Sequence, residues 1–138
     1  MSEEPKTPDL VGLTRRQFEF ADRADWDAIL ETYAPDAVWE LRQGATFEGA
    51  DAIRDLWVDY FSAYEEFGIE TEEILDFGNG VILAVNEQKA RLVGSASHIQ
   101  TREAFLYTWE RGVVVRVTMY TDIDEARTAA ERLAESRG

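Results

Sequence analysis

The longest stretch of alternating residues is 97–122, SHIQTREAFLYTWERGVVVRVTMYTD, where a period of two predicts two strands joined by a tight turn at Glu110 to Gly112. In the second arm Val113, Val115, Val117, Met119 and Thr121 alternate with Val114, Arg116, Thr118, Tyr120 and Asp122, so the odd positions are assigned to the drier, inner face. The same parity in the first arm turns Thr101, Glu103, Phe105, Tyr107 and Trp109 inward. A bulky aromatic row on one face of a hairpin predicts either a packed core or a small-molecule-sized hollow beneath the helices of the first half of the chain.

Those helices are read from spacing and caps. From Asp9, a residue suited to an N-cap, Leu10, Leu13, Gln17, Phe20 or Ala21, and Ala24 follow a helical period. Gln17 stands in the middle of that stripe, where an unsatisfied amide would cost roughly 1–3 kcal/mol. It therefore either finds a partner or cavity, or sits at the edge of a slightly rotated helix that buries Phe18 or Phe20. Asp25 caps a short second helix presenting Trp26, Ile29, Leu30 and Tyr33, with Pro35 as its stop. Residues 37–41 form a brief strand, and RQGATFEGAD is read as a polar loop in which Phe47 is a lone aromatic lid. Ile53, Leu56, Trp57, Tyr60, Phe61 and Tyr64 then recur at i, i+3, i+4, i+7, i+8 and i+11, which predicts a third helix with an aromatic packing face.

Strands over GIETEEILDF and VILAVNEQKARLVGSAS flank the turn Gly78-Asn79-Gly80, and with the hairpin they give a sheet of about five strands. A last amphipathic helix, with Ile123, Ala126, Ala130 and Leu133 on one side, is expected to fold back on the outside. Helices followed by antiparallel strands indicate an α+β fold. Residues 1–8 form a loose lead-in and 9–138 a single domain, as the length of 138 residues suggests.

Composition narrows the chemistry. With 28 acidic against 14 basic residues the net charge is −14, which repels nucleic-acid backbones and anionic lipid surfaces. Zero cysteines and a single histidine, His98, exclude thiolate catalysis, disulfides and cysteine- or histidine-rich metal cages, so no metal and no cofactor is expected. No signal-like leader and no apolar run of about 18 residues is present, which places the protein in the cytoplasm.

The landmarks Ala24-Asp25-Trp26-Asp27-Ala28, Tyr33-Ala34-Pro35-Asp36-Ala37-Val38-Trp39, Phe47-Glu48-Gly49 with Ile53, Gly112, and Tyr120-Thr121-Asp122 with Glu125-Ala126 resemble the SnoaL-like branch of the NTF2-like proteins over residues 12–131. The resemblance implies a cone of three N-terminal helices on the inner face of a curved, mostly antiparallel sheet, plus a C-terminal helix. It further implies one apolar cavity, a hydrophobic small-molecule partner and a homodimer through the sheet's outer face. Relatives of this fold include ketosteroid isomerase, polyketide cyclases, limonene epoxide hydrolase and proteins without catalysis. Carried across by position, the isomerase base falls on Leu41, its oxyanion tyrosine on Gln17 and its oxyanion acid on Phe105; the epoxide hydrolase aspartate falls on Met119. A histidine common near position 105 is likewise replaced by Phe105.

Glu103 is then the one ionisable member of the inward row. Buried under an aromatic rim, it would have a raised pKa and act as a general acid or base; beside Arg102 near the strand's start, it reads more readily as a solvated surface carboxylate. The expected pocket comprises Gln17, Tyr33, Trp39, Leu41, Trp57, Tyr60, Phe61, Phe105, Tyr107, Val117 and Met119. His98, on the outer parity without a fixed carboxylate, is set aside as a catalyst. For the homodimer, the outer parity residues Leu106, Val114 and Tyr120 are the ones expected to need cover. Two functions remain open: a cofactor-independent isomerase, cyclase or hydrolase acting on a hydrophobic substrate, or a non-catalytic ligand-binding or dimerisation module.

Overall fold

In a computed structural model that describes residues 9–42 and 44–138, helices come first and the sheet is completed afterwards. The lead-in 1–8 lies outside the described residues. The order is α1 (Leu10–Asp22), α2 (Trp26–Leu30), β1 (Tyr33–Leu41), β2 (Thr46–Glu48), α3 (Ala50–Ser62), β3 (Tyr64–Gly78), β4 (Val81–Leu92), β5 (His98–Glu110), β6 (Val113–Tyr120) and α4 (Ile123–Arg137). The six strands run β2-β1-β6-β5-β4-β3 across one sheet. Only β1 and β6 are parallel; the other pairings are antiparallel. This is the α+β NTF2-like cone, with the N-terminal helices on the inner face and α4 on the outer.

Local chemistry sets the helix starts. Asp9 accepts the Gly12 amide at 3.0 Å, Asp25 the Ala28 amide at 3.3 Å and Asp122 the Glu125 amide at 3.1 Å, each satisfying a backbone donor that the first helical turn leaves unpaired. In α1 the buried side chains are Thr14, Gln17 and Phe18. Phe18, more deeply than Phe20, meets the sheet, tilted against Phe105 with ring centroids 5.5 Å apart and edge-on to Tyr107 at 6.0 Å. The Trp109 indole donates to Thr14 Oγ1 at 3.1 Å, a buried bond that ties α1 to β5.

Several elements depart from the sequence expectation. The stretch expected as a loop contains β2, which pairs with β1 in the register Trp39↔Phe47, so Phe47 is a strand residue and the sheet has six strands. Pro35 lies inside β1 rather than behind a helix. Its missing amide is tolerated because the β1–β6 register shifts between Tyr33 and Val38. The aromatic stripe of α3 stops at Ser62, and Tyr64 opens β3. A bulge in the β5–β6 hairpin breaks the simple alternation: Thr108 faces Arg116 but Trp109 faces Val114, so one extra residue turns Val114 into the inner core.

The outer face is also different in its needs. Ala126, Ala130 and Ala134 of α4 lie on Val81, Leu83, Val85, Ala104, Leu106 and Tyr120 in a second core. Small side chains at i, i+4 and i+8 let this helix sit close on the sheet. Leu106 and Tyr120 are thereby buried within the chain, and Val114 faces inward. The three residues expected to need cover by a partner copy are therefore buried within the chain, two under α4 and one in the inner core.

The β3–β4 turn locks this helix in place. Asn79 Nδ2 donates to the Ala134 carbonyl at 2.7 Å, and Arg137 Nε donates to the Asn79 carbonyl at 2.9 Å. Gly80, at φ +81°, approaches β5 so closely that a β carbon would collide with the Trp109 carbonyl. Gly80→Ala is therefore expected to destabilise the fold by about 2 kcal/mol or more, through positive φ and displacement of β5. Urea denaturation checks this; an unchanged midpoint would refute the close approach.

Candidate functional site

Between the inner face and the helices lies a cavity of about 190 Å³. An engineered apolar cavity of about 150 Å³ admits benzene, so this space suits a ligand of one or two rings. Its walls come from α1 (Gln17, Phe18, Ala21), α2 (Trp26, Ile29), α3 (Leu56, Trp57, Tyr60, Phe61) and the strands (Tyr33, Trp39, Leu41, Ile69, Gln88, Glu103, Phe105, Tyr107, Met119). Trp57 meets Trp26, Tyr33 and Trp39 within 5.8 to 6.5 Å, and Trp26 stacks on Phe61 at 4.7 Å. Such edge-to-face and offset contacts hold aromatic walls in fixed orientations.

Ten of the eleven residues expected to line a pocket do line it. Val117 does not. It is fully buried, and its register neighbours Trp39 and Tyr107 flank it on either side, so their larger rings form the surface above it. Tyr60 is 43% exposed and marks the mouth, whereas Tyr33 and Tyr107 are deep in the wall. Burial raises the pKa of both deep hydroxyls, keeping them protonated; each also influences the other across the wall. Burial likewise raises Tyr60, helped by Tyr64, whose hydroxyl lies 3.4 Å away, and by the charge of Glu103.

Glu103 overturns its more ordinary reading. It is 8% exposed, turned into the cavity, and is the single carboxylate in the lining among the described residues. Its Oε2 accepts from Gln88 Nε2 at 2.7 Å, while Thr101 Oγ1 approaches Oε1 at 3.5 Å. Burial raises its pKa, opposed by the Thr101 contact. The neighbouring Arg102 points outward instead, bonded to Glu72 at 2.8 Å, so its charge is spent on the other face. His98 is exposed and pairs with Glu66 at 3.4 Å, outside the lining.

Gln88 was missed from the sequence, although a signal existed. Ile82, Ala84, Asn86 and Gln88 alternate with Val81, Leu83, Val85 and Glu87, and placing Ala84 opposite Phe105 turns the even set inward. Asn86 stands directly across from Glu103 in this register, fully buried, with neither amide atom bonded. Gln17 is 2% exposed and donates through Nε2 to Thr32 Oγ1 at 3.0 Å, leaving Oε1 unbonded. The alternative at the helix edge is thus excluded by the fold. Among the described residues no group of three or more His, Cys, Asp or Glu side chains is arranged to hold a metal ion, and no helix is long and apolar enough to cross a membrane.

A helical inner layer, a curved sheet and an aromatic cavity define the NTF2-like, ketosteroid isomerase-like fold. Residues 14–117 match the SnoaL-like domain, and the chain belongs to that family. Among similar solved structures, a candidate SnoaL-like polyketide cyclase from Jannaschia sp. CCS1 is 16% identical, with a TM-score of 0.76 over 94% of this chain and 98% of that one. A candidate polyketide cyclase from Sinorhizobium meliloti is 29% identical, with a TM-score of 0.66 over 83% and 95%. An NTF2-like protein from Burkholderia thailandensis is 17% identical, with a TM-score of 0.74 over 88% and 98%. No curated protein matches the chain.

Two stability predictions follow from the buried polar groups. A carboxyl whose folded pKa exceeds its unfolded value binds more protons in the native state, so its contribution to stability is present at low pH and is lost as pH rises from about 4.5 through the folded pKa. Glu103→Gln is expected to remove that loss: the variant should melt higher than wild type at pH 7 and show no such advantage at pH 4. Equal pH profiles for the two would refute the shift. Asn86→Leu removes two desolvated, unbonded atoms at similar volume and should stabilise by about 1 kcal/mol. Chemical denaturation reads this directly, and a large loss would show that Asn86 has a partner.

Proposed function

We propose that this protein binds a compact, largely apolar small molecule in the inner cavity and that Glu103 exchanges a proton with it, as in a cofactor-independent isomerase- or cyclase-type reaction. The observation that carries this reading is the buried carboxylate of Glu103 in an otherwise aromatic wall. Desolvation makes such a group a stronger base, and Gln88 holds one of its oxygens so that the other is directed by the remaining contacts.

The chemistry suited to one base and protonated phenols is proton transfer beside a carbonyl. Glu103 as carboxylate takes a proton from the adjacent carbon. The C–H electron pair becomes the carbon–carbon double bond of an enolate, and the carbonyl pair moves onto oxygen. The protonated hydroxyls of Tyr33 and Tyr107, kept neutral by burial, are the donors available to that oxygen. Where the substrate is a β,γ-unsaturated ketone the enolate is a dienolate, and return of the proton from Glu103 to its γ carbon shifts the double bond into conjugation and completes an isomerisation, with all atoms conserved. The bases and acids of known relatives fall on Leu41, Phe105 and Met119, so this arrangement is carried by a different strand position.

A second reading, non-catalytic binding, is favoured by one observation: Gln17 Nε2 spends one of its two N–H groups on Thr32, so the amide keeps at most one donor for an oxyanion. A bicyclic ketone, 2-tetralone, tests both. Its uptake is followed by tryptophan fluorescence and its α-hydrogen exchange into D₂O by NMR. The expected outcome is binding with exchange above the buffer rate that falls about 10²-fold in Glu103→Gln, the usual scale of acid–base catalysis. Binding without accelerated exchange would leave a ligand-binding protein and remove the catalytic role.

A further inference from the structure

The proposed function leaves one feature of the cavity wall unused: the amide of Gln17. Gln17 lines the cavity and is 2% exposed, yet among the described residues its Oε1 has no hydrogen-bond partner. An amide can be turned over so that oxygen and nitrogen exchange places, but here the local bonding forbids it. Thr32 Oγ1 donates its only proton to the Ile29 carbonyl at 2.7 Å, so toward Gln17 it offers lone pairs alone. Only the Nε2 end of Gln17 can face it, and it does so at 3.0 Å. Reversing the amide would set two acceptors against each other and leave two N–H donors without partners. The orientation is thus decided by the helix end at Ile29, and it leaves a buried, unbonded acceptor on a side chain that lines the cavity.

Buried polar atoms are rarely left unpaired, and a lone acceptor in a binding cavity selects for the group that completes it. The carboxylate of Glu103 in the same wall also accepts, and among the described residues no Lys, Arg or His side chain lines the cavity. A ligand whose polar end only accepted hydrogen bonds would leave Gln17 Oε1 desolvated and unbonded.

Resting on the reading of the cavity as a ligand site, we infer that Gln17 is a specificity-determining residue: the natural ligand carries a hydrogen-bond donor, a hydroxyl or a protonated amine, that bonds to Gln17 Oε1. This joins two demands on one small molecule. Its ring body satisfies the aromatic walls, and its donor group lies against α1. The overall charge of −14 tolerates either a neutral or a cationic donor and disfavours an anionic one.

Three probes of one ring skeleton test the inference: 2-naphthol, 2-(aminomethyl)naphthalene and 2-methoxynaphthalene, with dissociation constants measured by tryptophan fluorescence and calorimetry. At least one of the donor-bearing probes is expected to bind roughly tenfold tighter than the methoxy compound, the scale of one net hydrogen bond. The amine binding better than the naphthol would assign the cationic class, and the reverse order the hydroxyl class; both support the inference. Gln17→Met, which retains length but no carbonyl, should reduce the preference to near unity. A readout independent of that variant's folding is the side-chain carbonyl of ¹³C-glutamine-labelled wild type, whose Gln17 resonance should shift with the favoured donor probe and not with the methoxy compound. Equal affinities for all three probes in wild type, or a preference that survives Gln17→Met, would overturn the inference while leaving the cavity as a ligand site. Failure of all three to bind would overturn both.

Discussion

The contact between α1 and β5 is the one on which the remaining structure depends. Phe18 packs against Phe105 and Tyr107, and Thr14 receives the Trp109 indole, so a single helix is held along the inner row of a single strand. Both partners are committed on their other sides: β5 is paired with β4 and β6, and its outer face carries α4. With α1 held at this end, the helical layer does not close fully on the sheet farther along. The space left between α1, α3 and the inner row is the cavity. A hollow lined by large rings is stable here because those rings rest on one another rather than filling the gap.

The polar groups of that hollow are placed by the same frame. Glu103 and Gln88 are brought together by the β4–β5 register, which also puts Asn86 across from Glu103. Burying a carboxylate without a cation raises its affinity for a proton, and the nearest arginine, Arg102, is drawn to the opposite face by Glu72. The raised proton affinity of Glu103 therefore comes from separation: charge pairs are kept on the exposed surface, as in Arg116–Glu40 and Arg91–Glu65, while the single carboxylate lining the cavity among the described residues meets amides, hydroxyls and rings. A base assembled this way differs from those at the positions of known relatives, where this chain has Leu41, Phe105 and Met119. Membership of the SnoaL-like family thus describes the container, and the residues on its wall carry the proposed chemistry.

Part of the outer face is covered from within the chain. Three alanines of α4 allow the helix to approach Val81, Leu83 and Leu106 closely, and the turn at Asn79 holds its end. An outer sheet face that looks apolar along the strands alone becomes internal once the chain folds back.

Much of the architecture was legible in residue order. The caps at Asp9 and Asp25, the period of α3, the Gly78-Asn79-Gly80 turn and the inward row Glu103, Phe105 and Tyr107 are local properties, set by spacing of two or near four and by backbone preferences within a few residues. Most of the cavity wall follows from them, since parity alone decides which side of a strand a ring occupies. Other outcomes needed partners distant in sequence. β2 is too short and polar to be read as a strand until β1 supplies its pairing, and Val114 turns inward only because a bulge opposite Trp109 inserts one residue. Whether Glu103 met water or rings depended on Glu72 of β3, which holds Arg102 on the other face, and on Gln88, which β4 carries to the carboxylate. The amide of Gln17 became a fixed acceptor only when Thr32, fifteen residues on, spent its proton on Ile29. Local periodicity chooses a face for each side chain; what that face meets is decided by long-range pairing, which no short stretch of sequence contains.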